Sequence, residues 1–269
     1  MIKPSMMKTI ITGATGRMGG MLVRALHADK AALLTTATER SGHPNMGKDA
    51  GVLAGVDAAV LVSDALNHHD VDVIIDFTAP SATLEHAVFA AKHGIPMVIG
   101  TTGFTPSAFQ KLRDTLQETP VVMAANYSVG VNLALNLIEQ AAQILRAENY
   151  DAEIFEAHHR HKVDAPSGTA LAIGQSLAKG RNVALDDVAV YAREGITGAR
   201  ELGSIGFSVM RAGNIVGEHH AMFISDEERL EIRHIATDRM VFAKGAVRAA
   251  HWLIDQKKGW YNMQDVLGV

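Results

Sequence analysis

Fourteen consecutive residues, Glu156-Ala157-His158-His159-Arg160-His161-Lys162-Val163-Asp164-Ala165-Pro166-Ser167-Gly168-Thr169, hold three imidazoles, two fixed cations and the start of a helix. Such a set suits anion recognition coupled to proton transfer. Ser167 stands before an apolar helical pattern (Ala170, Leu171, Ile173, Gly174, Leu177) and reads as its N-cap, so backbone N–H groups near Gly168 and Thr169 face incoming negative charge. Lys162 and Arg160 reinforce that field, and His158 or His159 can exchange a proton near neutral pH. The ligand this describes is small and carries carboxylates. Zinc is the competing reading, because His159 and His161 would share one face of a strand with period two. Arg160 and Lys162 disfavour a dication there, and a chain with no cysteine cannot complete a soft site, so no metal is expected.

The elements that position this segment come from a chain of 269 residues, long enough for one large domain or, as preferred here, two. A net charge of -4 lacks the basic excess of a nucleic-acid binder. No apolar run approaches the roughly 20 residues of a membrane span. Met1-Ile2-Lys3-Pro4-Ser5-Met6-Met7 lack the apolar stretch of a signal peptide and run straight into a strand pattern. Together with the absence of cysteine, which fits a reducing compartment, this leads to the expectation of a soluble cytoplasmic protein without nucleic-acid or membrane partners. The missing thiol also excludes dehydrogenases that oxidise aldehydes through a thiohemiacetal.

The first half reads as a dinucleotide-binding domain. Lys8 to Thr12 is a short buried strand, followed by Gly13-Ala14-Thr15-Gly16-Arg17-Met18-Gly19 and then by Met18, Met21, Leu22, Ala25 and Leu26 at helical spacing. A strand, a glycine turn and a helix start form the context in which N–H groups hold a pyrophosphate. Glycines at 13, 16 and 19 depart from the G-x-G-x-x-G pattern, which would need them where Thr15 and Met18 stand. A second strand, Leu33 to Thr38, ends in Glu39-Arg40. Glu39 lies where an acid bonds the ribose hydroxyls, and Arg40 can meet a 2'-phosphate, so NADH and NADPH both suit. Further alternation follows. Val71–Thr78 is a strand, Pro80 to His93 a helix closed by Gly94, Ile95–Ile99 a strand leading to Gly100-Thr101-Thr102-Gly103, and Thr105-Pro106 a helix opening; Pro120 to Ala125 is another strand, ending at Asn126-Tyr127-Ser128. Ligands of open parallel sheets sit at the carboxyl ends of strands, which marks Phe77-Thr78, Gly100 to Thr102 and Ala124 to Tyr127 for the nicotinamide side.

The second half changes period. After a helix from about Val131 to Leu145, strands over Ala152–Ala157, Val188–Arg193, Ile205–Arg211, Ala221–Ile224 and Leu230–Ile235 predict an α+β unit with a largely antiparallel sheet. A final helix over Arg239–Ile254 is expected to return to the first domain. The fold class is therefore α/β: a Rossmann-like doubly wound parallel sheet (residues 1–128 and 238–269) with an inserted α+β substrate domain (residues 129–237). Hydride transfer would then require closure about the crossings near Ser128 and Thr237.

With these pieces in place, the chain closely resembles the 4-hydroxy-tetrahydrodipicolinate (dihydrodipicolinate) reductase family over nearly its whole length. The carriers are Gly13 to Gly19, Val98-Ile99-Gly100-Thr101-Thr102-Gly103-Phe104, Ala125-Asn126-Tyr127-Ser128-Val129-Gly130-Val131-Asn132 and Glu156 to Ala170. The glycine spacing that departs from the general pattern is the family's own variant. The resemblance implies a cofactor site at Gly13, Ala14, Thr15, Gly16, Arg17, Met18, Glu39, Arg40, Gly100, Thr101, Thr102, Ala124, Ala125, Asn126 and Tyr127. It further implies His158 as proton donor/acceptor, Lys162 as proton donor, and His159, Gly168 and Thr169 as substrate-carboxylate contacts. A homotetramer is implied as well. Tyr127 stands where phenylalanine is more usual. The implied reaction is NADH- or NADPH-dependent reduction of a cyclic imine-containing dicarboxylate; a dehydrogenase of another small acid and a non-catalytic dinucleotide sensor are the alternatives.

Overall fold

A computed structural model describes residues 6–269, and the leader-free reading of Met1 to Ser5 lies outside the described residues. The elements up to Ser128 are β1 (Met7–Thr12), α1 (Arg17–Ala28), β2 (Ala32–Thr38), α2 (Ala50–Ala54), β3 (Val62–Ser63), β4 (Val73–Asp76), α3 (Pro80–His93), β5 (Met97–Ile99), α4 (Pro106–Thr115) and β6 (Pro120–Met123). Then come α5 (Val129–Ile144), β7 (Asp151–His158), α6 (Gly168–Gly180), α7 (Leu185–Val188), β8 (Ala189–Val190), β9 (Ile205–Arg211), β10 (Gly217–Ile224) and β11 (Arg229–Ala236). The chain closes with α8 (Met240–Leu253), β12 (Gly259–Tyr261) and α9 (Met263–Leu267). Two compact units result, divided after Ser128 and after Arg239, with α8, β12 and α9 belonging to the first.

The first unit is a parallel sheet in the order β12-β6-β5-β4-β1-β2-β3. Its direction of winding reverses between β1 and β4. Alternate residues bury on opposite faces: Ile11, Val73, Ile75, Val98 and Val122 pack with α1 and α8, and Ile10, Ile74, Ile99 and Val121 with α3 and α4. Two covered faces are what make these strands read as continuous apolar runs. The helix ends follow the sequence signals. Thr105 caps α4 by accepting from Ala108 N–H, with Pro106 at the first helical position, and Gly94 closes α3 at φ 65°. β12 and α9 are not legible in the sequence, since three and five residues give no period to read.

In the second unit the sheet order is β11-β10-β7-β9-β8. β11, β10 and β7 pair antiparallel, whereas β7, β9 and β8 pair parallel, so the sheet is mixed rather than largely antiparallel. The cause is the connection, because the chain leaves β7 through α6 and α7, and a helical crossover delivers a parallel neighbour. The strand expected over Val188–Arg193 shrinks to Ala189–Val190. Residues 185–188 wind as a helical turn with Asp186 and Asp187 at its start, and Gly195 and Gly198 beyond take left-handed φ values of 70° and 76°. Helices α5 and α6 cover one sheet face through Ile138, Ala142, Ile173 and Leu177 over Ile154, Phe207, Ala221 and Phe223. The register puts Phe155, Met210, Met222, Ile224 and Ile235 on the opposite face. Among the described residues, no helix is long and apolar enough to cross a membrane.

Candidate active site

Strand alternation points Glu156 and His158 of β7 to the helix-covered face, and register supplies their neighbours. Arg211 on β9 lies opposite His158, His219 on β10 opposite Glu156, and His234 on β11 opposite His219. Glu156 is fully buried. Its carboxylate accepts from Arg211 Nη1 at 2.7 Å and Nη2 at 2.8 Å, from Ser167 N–H at 2.9 Å, and sits 2.6 Å from His158 Nδ1. Burial pushes the Glu156 carboxyl up, but the hydrogen bonds from Arg211, His158 and Ser167 outweigh it and hold the group below its ordinary range. An ionised Glu156 requires the proton on His158 Nδ1, which leaves Nε2 as the atom that can gain or release one. A Cβ at Gly217 would lie 3.1 Å from that Nε2, so glycine keeps the atom uncrowded. Burial drives the His158 pKa down, with Lys162 and Arg211 adding to the effect and Glu156 opposing it.

Beyond His158 the chain leaves the strand. Arg211 Nη2 donates to the Asp164 carbonyl at 2.6 Å, anchoring the loop that carries Lys162, whose ammonium pairs with Asp164 at 2.9 Å. After a cis Ala165-Pro166 bond, Ser167 caps α6, its hydroxyl oxygen accepting from Ala170 N–H at 3.2 Å. The first N–H groups of a helix have no acceptor within it, and Gly168 and Thr169 occupy those positions. His159 Nε2 accepts from Arg239 Nη2 at 3.2 Å. Because β7 ends at His158, His159 and His161 share no strand face, and the premise of the zinc reading fails. Arg160 and His161 are exposed, outside the buried cluster.

Sequence reasoning gave no role to Glu156, Arg211, His219 or Arg239. The i, i+2 spacing of Glu156 and His158 on a strand was a usable signal. The others depend on strand register, which a single sequence does not carry.

In the first unit, a cleft of about 740 Å³ is lined by residues that include Gly13, Gly16, Glu39, Arg40, Thr78 and His86. Gly13 turns with φ at +63°, and a Cβ on Gly19 would fall 2.0 Å from the Gly13 carbonyl oxygen. The 13/16/19 spacing thus follows from a left-handed turn and a helix pressed against it. Gly16 gives α1 no side-chain cap, so the N–H groups of a first turn that contains Arg17 and Met18 can serve an anion. Ala14 N–H bonds the Thr38 carbonyl at 3.0 Å, and Thr15 donates to Glu39 Oε1 from its N–H at 3.1 Å and its hydroxyl at 2.7 Å. Glu39 is therefore pre-set against the glycine loop.

Gly100–Thr102 and Ala124–Tyr127 follow β5 and β6 and do not line this cleft. Buried Asp76 links the first of them to it, accepting from Thr78 N–H at 3.0 Å and from the Thr78, Thr83 and Thr101 hydroxyls at 2.7, 3.1 and 3.1 Å, with His86 Nδ1 at 2.5 Å. Asn126 accepts from Ser128 N–H at 2.8 Å. Tyr127 is 1% exposed, and its hydroxyl lies within bonding distance of the Ile99 and Val122 carbonyls, at 2.8 and 3.0 Å. That oxygen ties β5 to β6.

A doubly wound sheet with a glycine turn and a waiting carboxylate at its switch point, joined to a sheet that carries a paired histidine, belongs to the class of nicotinamide-dependent α/β oxidoreductases. Residues 7–127 match the family model described as dihydrodipicolinate reductase, N-terminus, and residues 130–267 the one described as its C-terminus. The chain belongs to the dihydrodipicolinate reductase family. It is 52% identical over 264 residues to the 4-hydroxy-tetrahydrodipicolinate reductase of Magnetococcus marinus, covering 97% of this chain and 98% of that protein. Identity to the enzyme of the same name from Methylococcus capsulatus is 53% over 265 residues, with the same coverage of 97% and 98%. A dipicolinate-bound dihydrodipicolinate reductase from Paenisporosarcina sp. TG-14 shares the fold at a TM-score of 0.72 and 22% identity, over 97% of this chain and 98% of that one.

Proposed function

We infer that this chain reduces 4-hydroxy-tetrahydrodipicolinate (dihydrodipicolinate) to tetrahydrodipicolinate with NADH or NADPH, in the diaminopimelate route to lysine. Beyond family membership, the observation that carries this reading is the buried Glu156–His158 pair at 2.6 Å, close in sequence to Lys162 and to the capped start of α6. In this reading a reduced nicotinamide supplies the hydride. The N–H groups of Gly168 and Thr169, with His159, hold substrate carboxylates, and the Lys162 ammonium adds positive charge. His158 holds the exchangeable proton at Nε2, while Glu156 fixes its ring and stabilises the imidazolium. Lys162 is the second proton source.

The cofactor reading assigns the nucleotide to Gly13 through Met18, Glu39, Arg40, Gly100 to Thr102 and Ala124 to Tyr127. Fit is supported by the uncapped start of α1 and by Glu39 and Arg40 lining one cleft. Carboxylate and guanidinium side by side suit free ribose hydroxyls and a 2'-phosphate in turn, hence both cofactors. A homotetramer built through the second unit is supported by its helix-free sheet face, where Met210 and Ile235 are 45% and 49% exposed. The test is cofactor oxidation with freshly made dihydrodipicolinate, set against a panel of keto acids and a no-substrate control. Turnover of a keto acid in preference would assign a different dehydrogenase, and no turnover at all a sensor.

A further inference from the structure

His219 is the most deeply buried histidine of the second unit, at 5% exposure, and takes no part in the proton inventory above. Its Nε2 lies 3.1 Å from Ser167 Oγ, the atom that already accepts Ala170 N–H at 3.2 Å as the cap of α6. Burial, with His158 adding to it, holds the His219 pKa down to about 3, so the ring is neutral at any working pH and carries one N–H. Two tautomers are available, and they give Ser167 opposite roles.

Nδ1 settles the choice, because it is buried without a hydrogen-bond partner among the described residues. A buried N–H left bare is rarer than a bare acceptor, so the proton belongs on Nε2. His219 then donates to Ser167 Oγ. That oxygen now accepts twice, from Ala170 N–H and from His219 Nε2–H, which uses both of its lone pairs. The hydroxyl proton is then what the Ser167 side chain has left to offer, at the helix start beside the N–H groups of Gly168 and Thr169.

We propose that His219 is a positioning residue for substrate binding: by donating to Ser167 Oγ it commits the serine hydroxyl as a donor to a substrate carboxylate at the start of α6. This rests on the reading of that helix start as the carboxylate site. Ring packing supports a fixed orientation, since His219 meets His158 edge-on with centroids 5.1 Å apart. Glu156, His158, His234 and Lys162 are the titratable groups around it: burial, His158, His234 and Lys162 all favour the neutral ring and outweigh Glu156, which opposes them.

The unaltered protein, labelled with ¹⁵N-histidine, gives the first readout. Long-range ¹H–¹⁵N spectra should show His219 as the Nε2–H tautomer, unchanged between about pH 5 and 9. The Nδ1–H form would overturn the proposal, whatever the variants do. Dipicolinate titration gives the second. Ser167→Ala and His219→Phe should each weaken dipicolinate by roughly five- to tenfold and raise KM for substrate, with nucleotide affinity unchanged. His219→Gln, whose amide N–H can occupy the place of Nε2–H, should restore most of the loss, and the double variant should be no worse than Ser167→Ala alone. Parental affinity in His219→Phe, or losses that multiply in the double variant, would overturn the proposal alone. Absence of dipicolinate binding by the unaltered protein would overturn the carboxylate site itself, and the proposal with it.

Discussion

Replacing Glu156 by Gln changes one atom of a fully buried side chain and converts an acceptor into a donor. Four donors face this carboxylate: Arg211 Nη1 and Nη2, Ser167 N–H and His158 Nδ1–H. Arg211 donates to both oxygens, sharing Oε2 with His158 and Oε1 with Ser167, so an amide NH₂ must face one Arg211 nitrogen together with either His158 Nδ1–H or Ser167 N–H. Removing one partner of a buried ion pair costs about 3–5 kcal/mol. The Arg211 side chain keeps 18% exposure, so water partly solvates the freed guanidinium, and about 2–4 kcal/mol of destabilisation is expected. The pH dependence has a fixed sign. Glu156 ionises in the folded state below its unfolded value near 4.5, so its stabilisation is fully present above that pH and is lost as pH falls through the folded value. Denaturant titrations should therefore show a constant gap between parent and Glu156→Gln from roughly pH 5 to 8, closing in acid. Turnover should fall roughly 10²- to 10⁴-fold, because an amide cannot support the His158 imidazolium. A Gln variant that folds with parental stability, turnover and pH–rate profile would refute the pairing as the source of His158 function.

His158→Gln and Lys162→Met should each lower turnover by roughly 10²- to 10⁴-fold in steady-state assays, while nucleotide affinity stays near parental. Parental turnover in either would remove that residue from proton delivery. Arg40→Ala should weaken NADPH selectively, by about 1–3 kcal/mol, and leave NADH nearly unchanged; equal losses would show that Arg40 does not read the 2'-phosphate. For His219, the folded pKa of about 3 lies below the ordinary 6.5, so the unfolded chain binds the extra proton and stability falls with pH. Between roughly pH 8 and 5 the parent should lose about 2 kcal/mol more than His219→Gln in urea unfolding. A gap independent of pH would contradict the burial of a neutral His219.

Local signals carried the elements well. Ser167, Thr105 and Gly94 are read correctly because caps and stops depend on a few adjacent residues. The parallel sheet was legible because two covered faces impose apolar runs alternating with helices. What stayed hidden is non-local. Nothing in the sequence states that β9 lies beside β7 in parallel, so neither the mixed sheet nor the Arg211–Glu156 contact was readable. β7 itself ends one residue before His159, a boundary that decides which imidazoles share a face, and boundaries are where pattern reading is weakest. Tyr127 shows the same limit, because its hydroxyl answers to carbonyls at Ile99 and Val122 that only the folded sheet brings near.

The central claim, that this chain reduces a cyclic dicarboxylate imine at a site carried by Glu156, His158 and Lys162, is met most directly by single-turnover absorbance of reduced nicotinamide. Parent and His158→Gln would each be mixed with saturating nucleotide and freshly made dihydrodipicolinate. The parent should oxidise one equivalent of either NADH or NADPH per site, while His158→Gln binds nucleotide normally and oxidises it roughly 10²- to 10⁴-fold more slowly. Parental rates in His158→Gln, or no oxidation by the parent under these conditions, would contradict it.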